Sequence, residues 1–123
     1  MIPETLQKVL ADESIVAIVT RGKDGPHVVN TWNSYITPTP EDFFMIPVGR
    51  MKKTEENIKQ DKRVLMTIGS RNVQGLKYVG TGFLITGTAA FEDNGERFSQ
   101  MKACFTWMRA VLVVKAETIT QTL

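Results

Sequence analysis

The sequence contains one cysteine, Cys104, and one histidine, His27, in 123 residues. A single cysteine cannot form an internal disulfide, and such low cysteine usage is typical of a reducing cytoplasm. A metal centre of soft ligands is also not expected, because it would need three or four closely spaced cysteines and histidines. These absences predict a cytoplasmic protein without a disulfide or a metal ion.

Long apolar runs and a strong net charge are also missing. The longest apolar candidate, Ala110 to Val114, is far shorter than the roughly 18–20 residues of a membrane span. The N-terminus, Met1-Ile2-Pro3-Glu4, has no basic or apolar region typical of a signal peptide. The net charge of +2 is too small to indicate nucleic-acid binding, and the basic residues are not interleaved with stacking aromatics. Neither a membrane nor a nucleic acid is an expected partner.

The length predicts a single domain spanning residues 1–123, because no repeat, linker or low-complexity stretch interrupts the chain. A chain of this size buries roughly two-thirds of its unfolded surface, which is enough for one core. Little interior is left in which to enclose a large ligand. A second subunit would relieve that limit by supplying part of the pocket wall.

The pattern of apolar residues predicts a mainly β fold. Strands are expected at about residues 15–20, 27–32, 43–48, 63–68, 83–91 and 110–117, and short helices at about 3–11, 54–61 and 94–105. Thr54 is predicted to cap the second helix, and the glycine-rich stretch Gly69 to Gly82 is predicted to be a long loop. Six strands with irregularly placed helices favour a β-barrel over a βαβ sheet.

The segment Asn30-Thr31-Trp32-Asn33-Ser34-Tyr35 surrounds a large aromatic ring with short hydrogen-bonding side chains. Strand alternation predicts that Asn30, Trp32 and Ser34 share one face and that Thr31 and Asn33 share the other. A strand that is polar on both faces cannot lie wholly within an apolar core. It is therefore either an edge strand facing water or the wall of a polar ligand site.

A second segment, Pro47-Val48-Gly49-Arg50-Met51-Lys52-Lys53-Thr54, ends an apolar run in a glycine and then places cations at a helix start. A lysine, a hydroxyl and helix amides together suit a phosphate dianion, and a glycine lets the backbone approach a flat ring. Without a ligand, the same residues would form an ordinary turn and a capped helix. Glu55 and Glu56 also already occupy the positive end of that helix. With the first segment, this mixture is compatible with an aromatic ring carrying a polyol and a phosphate, such as flavin mononucleotide (FMN).

Over nearly its whole length the chain resembles small bacterial FMN-binding proteins of the split-barrel type, relatives of pyridoxamine phosphate oxidase. Several blocks in the same order carry this resemblance: Asp24-Gly25-Pro26-His27, Val29 to Tyr35, Pro47-Val48-Gly49, Lys53-Thr54-Glu55, Arg63 to Thr67, Gly69-Ser70-Arg71, Gly80 to Ile85 and Gln121-Thr122-Leu123. The resemblance implies a six-stranded split barrel that forms a homodimer and holds one FMN per subunit near the interface.

The resemblance also implies roles for particular residues. Lys53 and Thr54 would hold the FMN phosphate, with Arg50 and Lys52 as bystanders. Trp107 and the C-terminal Leu123 of the second subunit would flank the flavin, although residues 93–108 depart from the family's pattern. The ribityl chain, phosphate and ring edge would be lined by Asn30, Thr31, Trp32, Asn33 and Ser34, and the ring by Pro47, Val48 and Gly49.

No acid, base or nucleophile constellation stands out as catalytic, so the leading hypothesis is a small electron-transfer protein. The alternatives are an NAD(P)H:flavin reductase, a pyridoxamine phosphate oxidase-like enzyme, and a flavin storage or sensing module. The oxidase would need cations over the ring, for which Arg71 and Lys77 are the candidates. A haem-binding barrel using His27 is a weaker alternative. His27 itself is predicted to be a half-exposed strand residue, and Cys104 to be a buried small hydrophobe.

Overall fold

The fold is built on one antiparallel sheet, seen in a computed structural model that describes residues 2–123. The strands are β1 Ile15–Gly22, β2 Gly25–Trp32, β3 Thr37–Pro38, β4 Phe43–Val48, β5 Arg63–Gln74, β6 Val79–Glu92 and β7 Ala110–Gln121. The helices are α1 Glu4–Leu10, α2 Lys52–Gln60 and α3 Glu96–Cys104, and a 3₁₀ turn covers Asn33–Tyr35. The strand order across the sheet is β2-β1-β5-β6-β7-β4-β3.

The predicted mainly β fold with short helices is confirmed, whereas the strand count and the closed barrel are wrong. Within residues 2–123 the sheet has seven strands, and its hydrogen-bonded order is open, with β2 and β3 as its edges. The missed strand, β3, has only two residues and pairs with β4 through Thr37 and Met45 and through Pro38 and Phe44. A two-residue strand among prolines leaves no periodic signal in the sequence.

Alternating apolar residues form the main core. The inward positions of β1, β4, β5 and β6 are fully or nearly fully buried: Val16, Ile18, Phe44, Ile46, Val64, Met66, Ile68, Phe83 and Ile85. Leu6 and Val9 of α1 complete this cluster. On the other face of β4 and β7, α3 covers a smaller cluster that contains Met45, Met101, Met108, Val111 and Val113. Strand β7 is therefore buried on both faces where it begins, which explains its continuous apolar run.

The predicted loop from Gly69 to Gly82 is wrong, because most of it extends β5 and β6 into a long hairpin. The two strands pair through Gly69 with Gly82 and through Ser70 with Thr81, and the Gly75 amide closes the turn on the Tyr78 carbonyl at 2.8 Å. The C-terminal residues lie alongside, since the Thr122 amide donates to the Gly82 carbonyl at 2.8 Å. This strand pairing outweighs the low strand propensity of glycine.

The start of α2 also differs from its prediction. The helix begins at Lys52, after Met51 in the left-handed conformation with φ 61°, and the Glu55 amide donates to the Met51 carbonyl at 3.0 Å. Thr54 is therefore not the cap: it lies in the first turn and is fully buried. The chain turns into the helix through backbone geometry rather than through a side-chain cap.

Two single-residue predictions have opposite outcomes. His27 is partly exposed on β2, as predicted, whereas Cys104 at the end of α3 is exposed rather than buried. Among residues 2–123, no helix has the length and hydropathy to cross a bilayer. In the same range, no three His, Cys, Asp or Glu side chains are grouped so that they could hold a metal ion.

Candidate functional site

The predicted alternation along the Asn30–Ser34 segment is confirmed for the part that lies in β2. Thr31 is 5% exposed and faces inward, as does the fully buried Asn33 just after the strand. Asn30 and Trp32 face outward, and Trp32 is 45% exposed. The five predicted cofactor residues of this segment therefore lie on two surfaces, of which only the outer one is open to a ligand.

Asn33 has an evident structural role. Its side-chain amide lies within hydrogen-bond distance of three carbonyl oxygens, those of Val9 at 3.0 Å, Asp12 at 2.8 Å and Gly69 at 3.0 Å. Its backbone amide donates to the Ser14 carbonyl at 3.0 Å. These bonds connect the end of α1, the turn before β1 and strand β5. The two hydrogens of the buried NH₂ group are shared among the three carbonyls, whereas the buried Oδ1 has no partner within residues 2–123.

Two carboxylates, those of Glu13 and Asp12, extend the hydrogen bonding around Asn33. Glu13 accepts hydrogen bonds from the Ser34 hydroxyl at 2.6 Å and the Ser34 amide at 3.0 Å, and the hydroxyl more than the amide lowers the pKa of Glu13. The Asp12 carboxylate accepts hydrogen bonds from the Ser70 hydroxyl at 2.5 Å and from the side-chain amide of Asn72 at 3.1 Å. These bonds, led by that of Ser70, lower the pKa of Asp12. We refer to Asp12, Glu13, Asn33, Ser34, Ser70 and Asn72 as the Asn33 network.

Gly49 and Trp107, both predicted site residues, lie against each other. A Cβ atom added to Gly49 would come within 3.3 Å of Cε3 of the Trp107 ring. The indole packs at 5.6 Å from the Tyr35 ring and 5.9 Å from the Phe105 ring, between centroids. Trp107 nevertheless remains 51% exposed. An aromatic face held by two neighbouring rings and partly open to solvent is suited to contact a planar ligand.

The first turn of α2 presents the predicted phosphate residues in different ways. Lys53 is exposed, and its ion pair with the 91% exposed Asp24 is long at 3.9 Å and therefore weak. Thr54 is fully buried, yet its hydroxyl has no hydrogen-bond partner among residues 2–123. Pro47 and Val48, which end β4 just before this turn, are buried as well. We refer to residues 49–54 as the α2 approach.

Arg109 organises the α2 approach and was not predicted from the sequence. Its Nη2 and Nε donate to the Arg50 carbonyl at 2.6 and 3.2 Å, and its Nη1 lies 2.9 Å from the Glu55 carboxylate. Its backbone amide donates to the Val48 carbonyl at 2.8 Å. An arginine 59 residues from its carbonyl partner leaves no local signal in a single sequence.

Leu123 and Trp107 lie at opposite ends of strand β7. The twelve-residue strand β7 separates them, which at about 3.3 Å per residue is roughly 40 Å of extended chain. The Leu123 carbonyl accepts from the Thr81 hydroxyl at 2.7 Å and from the Leu76 amide at 3.1 Å, and its side chain is 65% exposed. The C-terminus is therefore anchored, but it is not beside Trp107 in the same chain.

Surface depressions do not coincide with the aromatic residues. One of about 470 Å³ is lined by Val19, Leu65 and Gly87 among others, and one of about 420 Å³ by Asp24, Lys53 and Gln60. Neither these nor three other depressions in the described part of the chain are lined by Trp32, Gly49 or Trp107. Trp32, Gly49 and Trp107 thus lie outside these five depressions.

Comparison with known proteins identifies the family. The pyridoxamine 5'-phosphate oxidase family matches residues 2–122. The chain is 51% identical over 123 residues to the FMN-binding protein of Nitratidesulfovibrio vulgaris (strain DSM 19637 / Miyazaki F), and the match covers all of both proteins.

Solved structures show the same fold at much lower identity. HupZ of Group A Streptococcus superposes with a TM-score of 0.81 at 16% identity, covering 98% of this chain and 94% of HupZ. An FMN-binding protein from Syntrophomonas wolfei superposes with a TM-score of 0.73 at 17% identity, covering 98% and 87%. Because the family match spans almost every residue and one relative is identical at half of the positions, the chain belongs to the pyridoxamine 5'-phosphate oxidase family.

Proposed function

We propose that this protein is an FMN-binding electron carrier that holds one FMN per subunit at a homodimer interface. Two findings support FMN as the ligand: the family to which the chain belongs and the relative that is named an FMN-binding protein and is 51% identical over the full length. The electron-transfer role rests on the absence of an acid, base or nucleophile constellation among the predicted site residues.

The α2 approach and Trp107 are the observation that carries this proposal. Together they combine a glycine packed on a half-exposed indole, an exposed lysine, and a buried Thr54 hydroxyl without a partner in the described chain. A buried hydroxyl without a partner is unfavourable, and a phosphate oxygen would accept its hydrogen bond. The residues therefore fit a flavin with a phosphate tail.

In this proposal Lys53 and Thr54 hold the phosphate, and Pro47, Val48 and Gly49 border the ring. Asn30 and Trp32 contribute from the outer face of β2. Thr31, Asn33 and Ser34 remain proposed ligand residues, although the hydrogen bonds of Asn33 and Ser34 already connect them to the protein. When bound, FMN supplies one- and two-electron redox chemistry, and the protein residues bind it and limit access to its ring.

The position of Leu123 supports the proposed homodimer. One chain presents Trp107 on an open surface and Leu123 at the other end of β7, so a ring at Trp107 would remain uncovered on one side. A second chain placed with its C-terminus over this ring would cover it. Sedimentation should show a flavin-loaded dimer at micromolar concentration, and a flavin-loaded monomer would remove the basis for a shared site.

An oxidoreductase is the second candidate, and the hairpin of β5 and β6 carries the observation in its favour. Arg71 and Lys77 are exposed on this hairpin, whose turn also binds the Leu123 carbonyl through the Leu76 amide. If a second chain brings Leu123 over the ring, the same hairpin brings these cations close. They could then hold the phosphate of a substrate, as an oxidase or reductase requires.

Two measurements test these proposals. The absorption spectrum of the purified protein should show the near-ultraviolet and blue bands of flavin, and a Soret band would instead support a haem protein. Stopped-flow reduction should be fast with a chemical electron donor and slow with NADH or NADPH. Nicotinamide reduction at about 1–1000 per second would assign an enzyme, and no redox response with either donor would favour flavin storage or sensing.

A further inference from the structure

The geometry points to Arg109 as a positioning residue that gives the site its preference for a phosphorylated flavin. This inference rests on the proposed FMN site and adds to it a residue that touches neither the phosphate nor the ring. Arg109 would act in two ways: it holds the backbone of the α2 approach through the Arg50 carbonyl, and it offsets the charge of Glu55.

The first action is visible in the contacts of the guanidinium. Nη2 and Nε both donate to the Arg50 carbonyl, at 2.6 and 3.2 Å, directly before the left-handed Met51. The guanidinium also lies 5.8 Å from the centroid of the Phe91 ring, which limits its movement. Since Arg109 itself is joined to Val48 through its backbone amide, the turn between β4 and α2 is held at both ends.

The second action concerns the charge at the helix start. Lys52 and Lys53 carry two positive charges, and Glu55 and Glu56 carry two negative ones, so the first part of α2 is formally neutral. A phosphate dianion gains little from a neutral helix start. The Arg109 guanidinium pairs with Glu55 at 2.9 Å, and both side chains are largely buried, at 27% and 21% exposure. This pair offsets the negative charge of Glu55, so that the positive charges of Lys52 and Lys53 attract an anion.

Removal of Arg109 should therefore affect FMN and riboflavin differently. Riboflavin has the same ring and polyol but no phosphate, so it does not meet the Glu55 charge. Arg109→Met should weaken FMN binding about tenfold and riboflavin binding by less than about twofold. A purely structural role would weaken both ligands equally.

The chain offers a matched control in Arg97. It pairs with Glu92 through Nε at 3.1 Å and Nη2 at 2.7 Å, and it lies 5.2 Å from the centroid of the Phe43 ring. The same three features of Arg109, an ion pair, partial burial and an aromatic neighbour, are thus present away from the α2 approach. Arg97→Met should leave the ratio of FMN to riboflavin affinity unchanged.

The experiment titrates the apoprotein with FMN and with riboflavin and follows flavin fluorescence. Four proteins are compared with the parent: Arg109→Met, Glu55→Gln, the double variant, and Arg97→Met. If Arg109 acts by offsetting Glu55, the double variant should recover most of the lost FMN affinity. Glu55→Gln alone should bind FMN as tightly as the parent or more tightly, because it leaves the Arg109 charge unopposed.

The outcomes separate this inference from the proposed function. A parent apoprotein that binds neither flavin overturns the proposed site, and with it this inference. A parent that binds FMN while Arg109→Met keeps the parental affinity ratio overturns the role of Arg109 alone. A double variant without recovery overturns the charge compensation of Glu55. If Arg109→Met does not fold, Glu55→Gln decides: a selective loss of FMN affinity in that variant contradicts charge compensation.

A second measurement does not depend on flavin. Inorganic phosphate should raise the melting temperature of the apoprotein if the α2 approach binds anions. The rise should be smaller in Arg109→Met than in Arg97→Met at the same phosphate concentration. Equal rises in the two variants would contradict the inference, whatever their flavin affinities.

Discussion

The Asn33 network and the α2 approach are both polar, but they differ in how their hydrogen bonds are satisfied. In the network most side chains bond to the protein itself: the Asn33 side-chain NH₂ group lies within hydrogen-bond distance of three carbonyls, and the Asp12 and Glu13 carboxylates accept from serine hydroxyls. The buried Oδ1 of Asn33 is the exception, because it has no partner within residues 2–123. In the α2 approach the Thr54 hydroxyl has no partner in residues 2–123, and Lys53 has only a long contact to an exposed aspartate.

This difference separates two roles that look alike in the sequence. Polar side chains that satisfy one another buttress the fold, whereas buried or convergent polar groups that lack protein partners are left for a ligand. Both regions lie near the aromatic residues, because the Asn33 turn continues to Tyr35, whose ring packs on Trp107 beside Gly49. In the proposed site, the α2 approach would face the ligand, and the bonds of the network to the protein would hold Asn33 and Ser34 in place.

The largest effect is expected from removing the centre of the network. Asn33→Ala should lower the free energy of unfolding by about 2–3 kcal/mol, because buried carbonyls lose their donors. Urea denaturation measures this loss. Asn30→Ala is the control: its exposed amide makes a single bond to the Val16 carbonyl at 3.2 Å, so the loss should be below about 1 kcal/mol. Similar losses in the two variants would contradict the structural role of Asn33.

The next effect concerns the ligand-facing region. Lys53→Ala should weaken FMN binding about tenfold, or about 1.4 kcal/mol, because a charge-assisted phosphate contact is lost. Riboflavin affinity and unfolding free energy should barely change, since the lysine is exposed and its ion pair is long. Lys59→Ala, at the other end of α2, is the control. Unchanged FMN affinity in Lys53→Ala would mean that the phosphate lies elsewhere.

The fold was predicted correctly where the signals are local in the sequence, and it was missed where the contacts are between residues far apart in the sequence. Strands were predicted where β-branched residues are concentrated, as in β1, and where apolar residues follow one another, as in β4, because those signals are local. The hairpin arms through Gly69 and Gly82 were missed, because long-range pairing with the C-terminal residues stabilises them. The seventh strand was missed because nothing local marks the two-residue β3.

The site residues show the same division. The residues of the α2 approach were proposed as ligand residues from their own segment, where glycine, lysine and threonine lie close together, and from the family resemblance. The role of Asn33 and the contribution of Arg109 were not identified, because each depends on partners more than twenty residues away. A single sequence shows which polar residues are present, but not which of them already have partners.

A smaller effect tests whether a second chain completes the ligand-facing region. Leu123→Ala should leave stability within about 0.5 kcal/mol of the parent, because the side chain is exposed and the anchoring carbonyl remains. Fluorescence of the bound flavin, and its quenching by iodide, should increase if this side chain covers the ring. Leu76→Ala, exposed on the same hairpin, shows whether the effect belongs to Leu123. No change in either variant would count against the shared site.

The smallest effect is a pH dependence of the Asn33 network. Hydrogen bonds from Ser34, the hydroxyl first and then the amide, lower the pKa of Glu13 below its usual value of 4.5. Because the folded pKa is the lower one, the carboxylate stabilises the fold above about pH 4.5, and this contribution is lost as the pH falls through the folded pKa. Glu13→Gln should therefore be slightly less stable than the parent at pH 7 and should lose less stability between about pH 5 and pH 3. Urea denaturation midpoints of the parent and of Glu13→Gln, measured across this pH range, give the pH dependence of stability of each protein. FMN affinity at pH 7 should stay close to the parent's, since Glu13 bonds to Ser34 and is not among the proposed ligand residues. A loss as large as that of Lys53→Ala would show that the two regions are not separate in function.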